Sequence, residues 1–279
     1  MPRKGKRRSG GDGLTRAELL KAAAAATPAL LLGGSQAGPA RAAARSAAQR
    51  SSLAGMNLLI LLTDQERAIQ HFPRGWASKN LPGLTRIKRN GLSFERAVTN
   101  ACMCSPARST MMTGYFTAQH GVKNTLESSM SGDKYPQVEL DTGFANIATV
   151  LSAAGYEVVY KGKFHCGKAA AGGENWVPED VNKYGFTRWD PPDAGANQFV
   201  SQAGGGTTNH DGRFMNDQGD AAAGREGALE YVNSVASKQK PFALIVSLVN
   251  PHDVLFYPNQ YTSAGYDDSW LDGSVRLPG

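Results

Sequence analysis

The fold is constrained most by a nearly continuous apolar segment, with Ser247 as its one polar residue, that runs from Phe242 to Val249 and ends in Asn250-Pro251-His252-Asp253. A strand that is apolar at nearly every position is typical of a parallel sheet buried on both faces. A second apolar strand, 58–63, ends at an acid, and a third follows Gly155. Helical patterns at 81–91, 142–154 and 221–238 alternate with these strands. The sequence therefore predicts an α/β fold with a mostly parallel sheet flanked by helices on both faces.

Other segments are assigned from local signals. A strand is predicted at 92–97 and a helix from about Pro106 to Met112, and 168–219, rich in Gly, Asn, Asp and Pro, is predicted to be a long substrate-side insertion. These assignments describe one large domain from residue 55 onward.

A short motif, Cys104-Ser105-Pro106-Ala107-Arg108, carries the strongest chemical signal. Pro106 suits the first turn of a helix, where its missing N–H costs nothing. Arg108 lies one turn after Cys104 and shares its helix face. A helix N-terminus attracts anions, and a guanidinium binds tetrahedral oxyanions. The motif predicts a site for a sulfate or phosphate group, although a structural cysteine beside a helix cap is the alternative for an isolated motif. A cysteine phosphatase loop is excluded because position 110, where it needs arginine, is Thr110.

Polar residues follow each predicted strand. Asp64 and Gln65 follow the first, Lys163 and His165 follow the second, and His252 follows the third. In open α/β sheets, ligands bind outside the carboxyl ends of the strands. Asp64 is therefore expected at a position that suits a metal ligand.

In these four segments the chain resembles the sulfatases of the alkaline phosphatase superfamily. Cys104, Pro106, Arg108, Thr113 and Gly114 match the family signature in register. The segments around Asp64, Lys163 to His165 and Pro251-His252 match its other motifs in the same order, although Gln65 stands where a second acid is usual.

The resemblance implies that a formylglycine-generating enzyme oxidises Cys104 to formylglycine, whose hydrate is the nucleophile. It further implies that Asp64, Gln65 and the modified Cys104 hold a divalent cation, Ca²⁺ or otherwise Mg²⁺ or Mn²⁺.

Two catalytic roles also follow from the resemblance. Arg108 and Lys163 would stabilise negative charge, and His252 or His165 would protonate the leaving oxygen. The implied function is hydrolysis of a small-molecule or glycan sulfate ester. A phosphodiester or phosphonate monoester hydrolase of the same superfamily remains an alternative.

Family members continue beyond Gly279 to further metal ligands and a smaller C-terminal domain. The expected domain, 55–279, is therefore C-terminally incomplete, and a truncated, inactive sulfatase fragment is a further alternative. Asp211, Asp267 and Asp268 are interpreted as solvated loop acids. Three cysteines do not make a disulfide framework, and Cys102 and Cys166 could pair only if their loops pack together.

The basic charge belongs to the first 50 residues. They hold ten basic and two acidic residues, a net of +8 against +6 for the whole chain, which leaves −2 for the remainder. No nucleic-acid partner is expected. Residues 1–50 have the basic and apolar parts of an export signal, of Tat or Sec type, followed by a disordered leader. The apolar part is short and broken by Pro28, so no membrane anchor is expected.

Overall fold

The computed structural model of this chain describes residues 55–68, 72–127, 136–173, 175–193, 211–216, 226–236 and 240–252. The predicted export signal and leader at 1–50 lies outside these residues, as do Asp267 and Asp268. In the described ranges, no helix combines the length and apolarity needed to cross a bilayer.

Three parallel strands form the sheet. They are β1 (Leu58–Asp64), β2 (Glu157–Gly162) and β3 (Phe242–Pro251). The order is β1-β3-β2, so the most apolar strand is central, and both pairings are parallel. The register between β1 and β3 shifts between Thr63 and Asp64. The predicted parallel sheet is confirmed, and the carboxyl ends of all three strands lie at one edge.

The described part of the chain also contains eight helices. They are α1 (Trp76–Asn80), α2 (Pro82–Asn90), α3 (Cys104–Thr113), α4 (Thr117–His120), α5 (Ile147–Ala153), α6 (Glu179–Asn182), α7 (Asp211–Met215) and α8 (Ala228–Val235). Helix α5 begins five residues later than predicted because the Asn146 side chain accepts the N–H groups of Ala148 and Thr149 and caps the helix there.

Helices cover both faces of the sheet. On one face, Val158, Tyr160 and Ile245 belong to an apolar cluster with residues of α3, α5 and α6. On the other face, Val159 and Leu244 belong to a second cluster with residues of α8. Consecutive residues of β2 thus enter opposite clusters, as pleating requires. The prediction of helices on both faces is confirmed.

Two local predictions are wrong. Residues 92–97 form no strand, and Leu92 and Phe94 are 83% and 78% exposed. Their alternating apolar pattern has no partner strand among the described residues, and an unpaired strand is not stable. The segment predicted as an insertion, 168–219, instead contributes to the core in part of its described range. It buries Trp176, Tyr184 and Trp189.

Candidate active site

Helix α3 presents Cys104 at its first turn. Met103 precedes the helix in an extended conformation, and Gly114 ends it with a φ of 77°, which glycine tolerates. Cys104 is half-buried, and its Sγ lies 3.9 Å from the Thr125 Oγ1. The Ser105 hydroxyl accepts the N–H of Leu126 at 3.0 Å and fixes the neighbouring loop against the helix. The helix begins at the cysteine, two residues before the predicted bound of about Pro106, and Pro106 lies in its first turn as the motif predicts.

A cavity of about 620 Å³ opens beside Cys104. Four predicted site residues line it in addition to Cys104: Asp64, Gln65, Arg108 and His252. Its wall also contains residues that sequence analysis did not assign to the site, among them Glu66, Arg67, Thr99, Cys102, Met103, Met111, Thr125 and Glu127. The volume falls within the usual range of small-molecule sites. The structure therefore brings helix α3 and the ends of β1 and β3 together around one cavity.

Asp64 is the anionic centre of this site. It forms ion pairs with the Lys163 Nζ and, at 3.6 Å, with the Arg108 Nη2. Burial alone would raise the pKa of Asp64, but the charges of Arg108 and Lys163 outweigh it and hold the pKa below its ordinary value. Asp64 is thus ionised near neutral pH.

Arg108 is almost completely buried, at 2% exposure, and its contacts fix its position. Its Nη1 donates to the Lys163 carbonyl at 2.6 Å and to the Ser247 hydroxyl at 2.8 Å. Its Nε has no hydrogen-bond partner among the described residues. A buried N–H donor without a partner is costly. Arg108 also lines the cavity, so its guanidinium is suited to an anionic ligand.

Lys163 begins the turn that follows β2. Its N–H donates to the Ser247 carbonyl at 2.9 Å, which joins the turn to β3. The preceding Gly162 has a φ of 92°, and a Cβ there would lie 2.0 Å from the Ser247 carbonyl oxygen. Only glycine fits such a close approach. Lys163 itself is completely buried and reaches the site through Asp64.

His165 is buried at 1% exposure and is not among the residues that line the cavity. Its Nε2 lies 2.5 Å from the Leu126 carbonyl oxygen, so this nitrogen carries the proton and donates. Its Nδ1 has no hydrogen-bond partner among the described residues. Burial, with the nearby charge of Lys163, lowers the pKa of His165 to about 4. The ring is therefore neutral at physiological pH.

The buried imidazole of His165 predicts a pH-dependent stability. Between pH 6.5, the ordinary pKa of histidine, and about 4, the unfolded chain binds a proton here and the folded chain does not. The free energy of unfolding should thus fall by about 3 kcal/mol as the pH drops through this window. The variant His165→Gln retains a side-chain donor but does not titrate. Its urea unfolding should show a shallower pH dependence than the wild type, and equal slopes would contradict the assignment.

Two carboxylates that sequence analysis did not place in the site hold its loops. The oxygens of Asp193, a fully buried residue, accept the N–H groups of Phe164 and His165 at 2.8 and 2.7 Å. Asp211 accepts the N–H groups of Val249 and Asn250 at 2.7 and 2.9 Å, just before His252. The prediction of Asp211 as a solvated loop acid is wrong, because its carboxylate satisfies two backbone donors at the end of β3.

The three cysteines occupy different environments. Cys102 is exposed, Cys104 is half-buried and Cys166 is buried, and all three are free thiols. A Cys102–Cys166 disulfide, which the sequence left open, does not form. Burial raises the pKa of the Cys166 thiol to about 12, so it remains protonated and is unsuited to act as a nucleophile.

The described residues do not complete a calcium site. Asp64 and Gln65 both line the cavity, and Gln65 has a φ of 60°, which places it in the left-handed region. Ca²⁺ takes six to eight oxygen ligands. In the part of the chain that the structure describes, no group of three or more His, Cys, Asp or Glu side chains could hold a metal ion. These donors alone therefore do not fit a bound Ca²⁺.

Comparisons with known proteins place this chain in a family. The multifunctional alkaline phosphatase superfamily protein PehA of Trinickia caryophylli is 34% identical over 107 residues, which cover 36% of this chain and 18% of that protein. The human N-acetylglucosamine-6-sulfatase is 28% identical over 132 residues, or 44% of this chain and 22% of that enzyme. The matched regions thus span about a fifth of these curated relatives.

The fold has a counterpart among solved structures. The crystal structure of yidJ from Bacteroides fragilis, described as a sulfatase, superimposes with a TM-score of 0.50 at 20% identity. The superposition covers 80% of this chain and 51% of that chain. At this level of identity it supports the α/β fold alone. The sulfatase family model, however, matches residues 56–271, most of the chain and all four predicted motifs. This chain belongs to the sulfatase family.

Proposed function

We propose that this protein hydrolyses sulfate esters with a nucleophile derived from Cys104. The observation that carries the proposal is the shared cavity, in which Cys104 at a helix start meets Asp64, Arg108 and His252. The family supports the reaction class. Sulfate is a tetrahedral anion, and the cavity combines a helix N-terminus with a buried guanidinium that has an unused donor.

The side chains of this site suggest a division of roles. Arg108 and, through its contact with Asp64, Lys163 supply positive charge, which stabilises the charge that develops on sulfate oxygens in the transition state. His252 lines the cavity and can donate a proton to the leaving alcohol oxygen. His165 is neutral, and its Nε2 proton is bound to the Leu126 carbonyl, so we assign the proton donor to His252.

Formylglycine at position 104 fits the location of the cysteine, because the side chain is half-buried and faces the cavity. Once formed by a formylglycine-generating enzyme, its hydrated aldehyde would supply the oxygen that attacks sulfur. Ca²⁺, Mg²⁺ or Mn²⁺ at Asp64 and Gln65 stays a prediction, since it needs ligands beyond the described donors.

The substrate class is proposed from size and from the names of relatives. A cavity of about 620 Å³ admits a sugar-sized alcohol. The matched N-acetylglucosamine-6-sulfatase acts, by its name, on a sulfated sugar. We therefore propose that the substrate is a glycan or small-molecule sulfate ester. We also propose that the basic and apolar leader at 1–50 directs export, so that the enzyme encounters this substrate outside the cytoplasm.

Mass spectrometry and a paired assay test this proposal. The chain is produced with a formylglycine-generating enzyme, and the peptide containing Cys104 is analysed for the aldehyde. Nitrophenyl sulfate and a nitrophenyl phosphonate ester are then compared as substrates. We expect the aldehyde mass and a higher kcat/KM for the sulfate. An intact, alkylatable thiol at Cys104 would contradict the proposed mechanism. A higher kcat/KM for the phosphonate ester would instead support the alternative, a phosphonate monoester hydrolase.

A further inference from the structure

The turn after β2 is held by a carboxylate from a distant part of the chain. Asp193 lies 28 residues after His165 in sequence and is completely buried. One of its oxygens accepts the N–H of Phe164 at 2.8 Å and the other accepts the N–H of His165 at 2.7 Å. A carboxylate that receives a separate N–H on each oxygen fixes both the position and the orientation of the peptide groups that donate them.

The backbone at this turn has a conformation that needs such support. His165 has a φ of 54°, in the left-handed region that residues with a Cβ seldom adopt. Strained backbone persists where surrounding contacts over-determine it, and such positions cluster at functional sites. Here the contacts are the two N–H bonds to Asp193 and the bond from the imidazole Nε2 to the Leu126 carbonyl.

The other end of the same turn is joined to the charged centre of the cavity. The Lys163 carbonyl accepts the Arg108 guanidinium at 2.6 Å and the Tyr160 hydroxyl at 2.7 Å, and the Lys163 Nζ is paired with Asp64. A shift of residues 163–165 would therefore move Lys163 and disturb the contacts of Arg108 together.

We propose that Asp193 is a positioning residue for the active site: its carboxylate fixes the 163–165 turn and thereby the placement of Lys163, Arg108 and the His165 ring. Asp193 does not belong to the cavity wall, and it acts through the backbone N–H groups that it accepts. The expected effect on catalysis rests on the proposed function. The expected effect on the 163–165 turn rests only on the hydrogen-bond geometry.

Asp180 provides a matched control. It is also buried, at 2% exposure, and its two oxygens also accept one backbone N–H each, from Ala170 and Val177, both at 3.0 Å. The segment that Asp180 holds contains no predicted site residue. Asp180→Asn and Asp193→Asn therefore make the same chemical change at a structural and at a positioning carboxylate.

The experiment compares these two variants with the wild type in the full chain, produced with the formylglycine-generating enzyme. Both variants should lower the urea unfolding midpoint. Expressed per formylglycine, only Asp193→Asn should lower kcat for nitrophenyl sulfate, by about 10- to 100-fold, because small misplacements of positioning groups have effects of this size. A kcat for Asp193→Asn equal to that of Asp180→Asn would overturn the proposal.

A spectroscopic measurement separates this inference from the proposed function. The chain has five histidines, so ¹⁵N spectra of the imidazole rings resolve His165 directly. We expect Asp193→Asn to shift the His165 ring signals while Asp180→Asn leaves them unchanged. This outcome would support Asp193 as a positioning residue even if the wild type hydrolysed no sulfate ester, in which case the proposed function alone would fail. Unchanged His165 signals in Asp193→Asn would overturn the inference.

If Asp193→Asn does not fold, amide hydrogen exchange of the wild-type chain tests whether Asp193 holds the 163–165 turn. The amide protons of Phe164 and His165 should then exchange with solvent as slowly as those within β2, because both are bound to a buried acceptor. Exchange at the rate of an exposed loop would show that Asp193 does not hold the turn.

Discussion

Replacing Cys104 by alanine is expected to reduce hydrolysis of an aryl sulfate by roughly 10⁴- to 10⁶-fold, as when the nucleophile of another hydrolase is removed. The thiol at the start of α3 is the precursor of the proposed nucleophile, so its loss removes the group that attacks sulfur. The fold should remain intact. The Cys104 side chain is half-buried and its Sγ makes only a long contact, 3.9 Å, with the Thr125 hydroxyl.

Cys102 supplies the control for this variant. It lines the same cavity two residues earlier, is exposed and is a free thiol. Cys102→Ala should retain the wild-type kcat and KM, measured on protein whose formylglycine content is known from mass spectrometry. Wild-type activity in Cys104→Ala, or equal losses in the two variants, would place the nucleophile elsewhere.

The strands and the residues at their ends could be predicted from sequence because each signal is local. The apolar segment at 242–249 specifies a strand buried on both faces, and parallel strands bring their carboxyl ends to one edge. This argument placed Asp64 at that edge, and the family resemblance implied that Asp64 and His252 share a site with Cys104. All three line the cavity.

The residues that support this site could not be predicted, because their partners are backbone groups far away in sequence. Asp193 binds N–H groups 28 and 29 residues earlier, and Asp211 binds N–H groups 38 and 39 residues later. A side chain that bonds to backbone leaves no pattern in the partner segment. The strand predicted at 92–97 failed for the converse reason: its alternation was local, but a strand also needs a neighbour, which local signals do not supply.

Replacing Asp64 by asparagine is the second large change that we expect. Lys163 and Arg108, at 0% and 2% exposure, both pair with this carboxylate. The neutral amide would leave two buried cations without their anionic partner, and removing one member of a buried ion pair costs about 3–5 kcal/mol. Urea unfolding near neutral pH should therefore show a loss of this size. Hydrolysis should fall as well, since both cations are proposed to stabilise the transition state.

The decisive test of Asp64→Asn is the pH dependence of its unfolding, compared with that of the wild type. Burial raises the pKa of Asp64, but the charges of Arg108 and Lys163 lower it by more than burial raises it. The pKa in the folded state therefore lies below the ordinary 3.8. The carboxylate thus contributes its full stability above pH 3.8 and loses it as the pH falls through the folded pKa. The difference in the free energy of unfolding between the wild type and Asp64→Asn should accordingly become smaller below pH 3.8 and remain constant above it.

Glu66 is the matched control for this comparison, because it lines the same cavity but is exposed. In the described part of the chain, its carboxylate accepts a hydrogen bond from the Thr63 hydroxyl. Glu66→Gln should unfold within about 0.5 kcal/mol of the wild type, as surface substitutions usually do. If Asp64→Asn were equally mild, the Asp64–Lys163–Arg108 cluster could not be the element that joins the ends of β1 and β2 to helix α3. The charge arrangement proposed for sulfate binding would then have to be abandoned, because it depends on a buried, ionised Asp64 that holds both cations at the cavity wall.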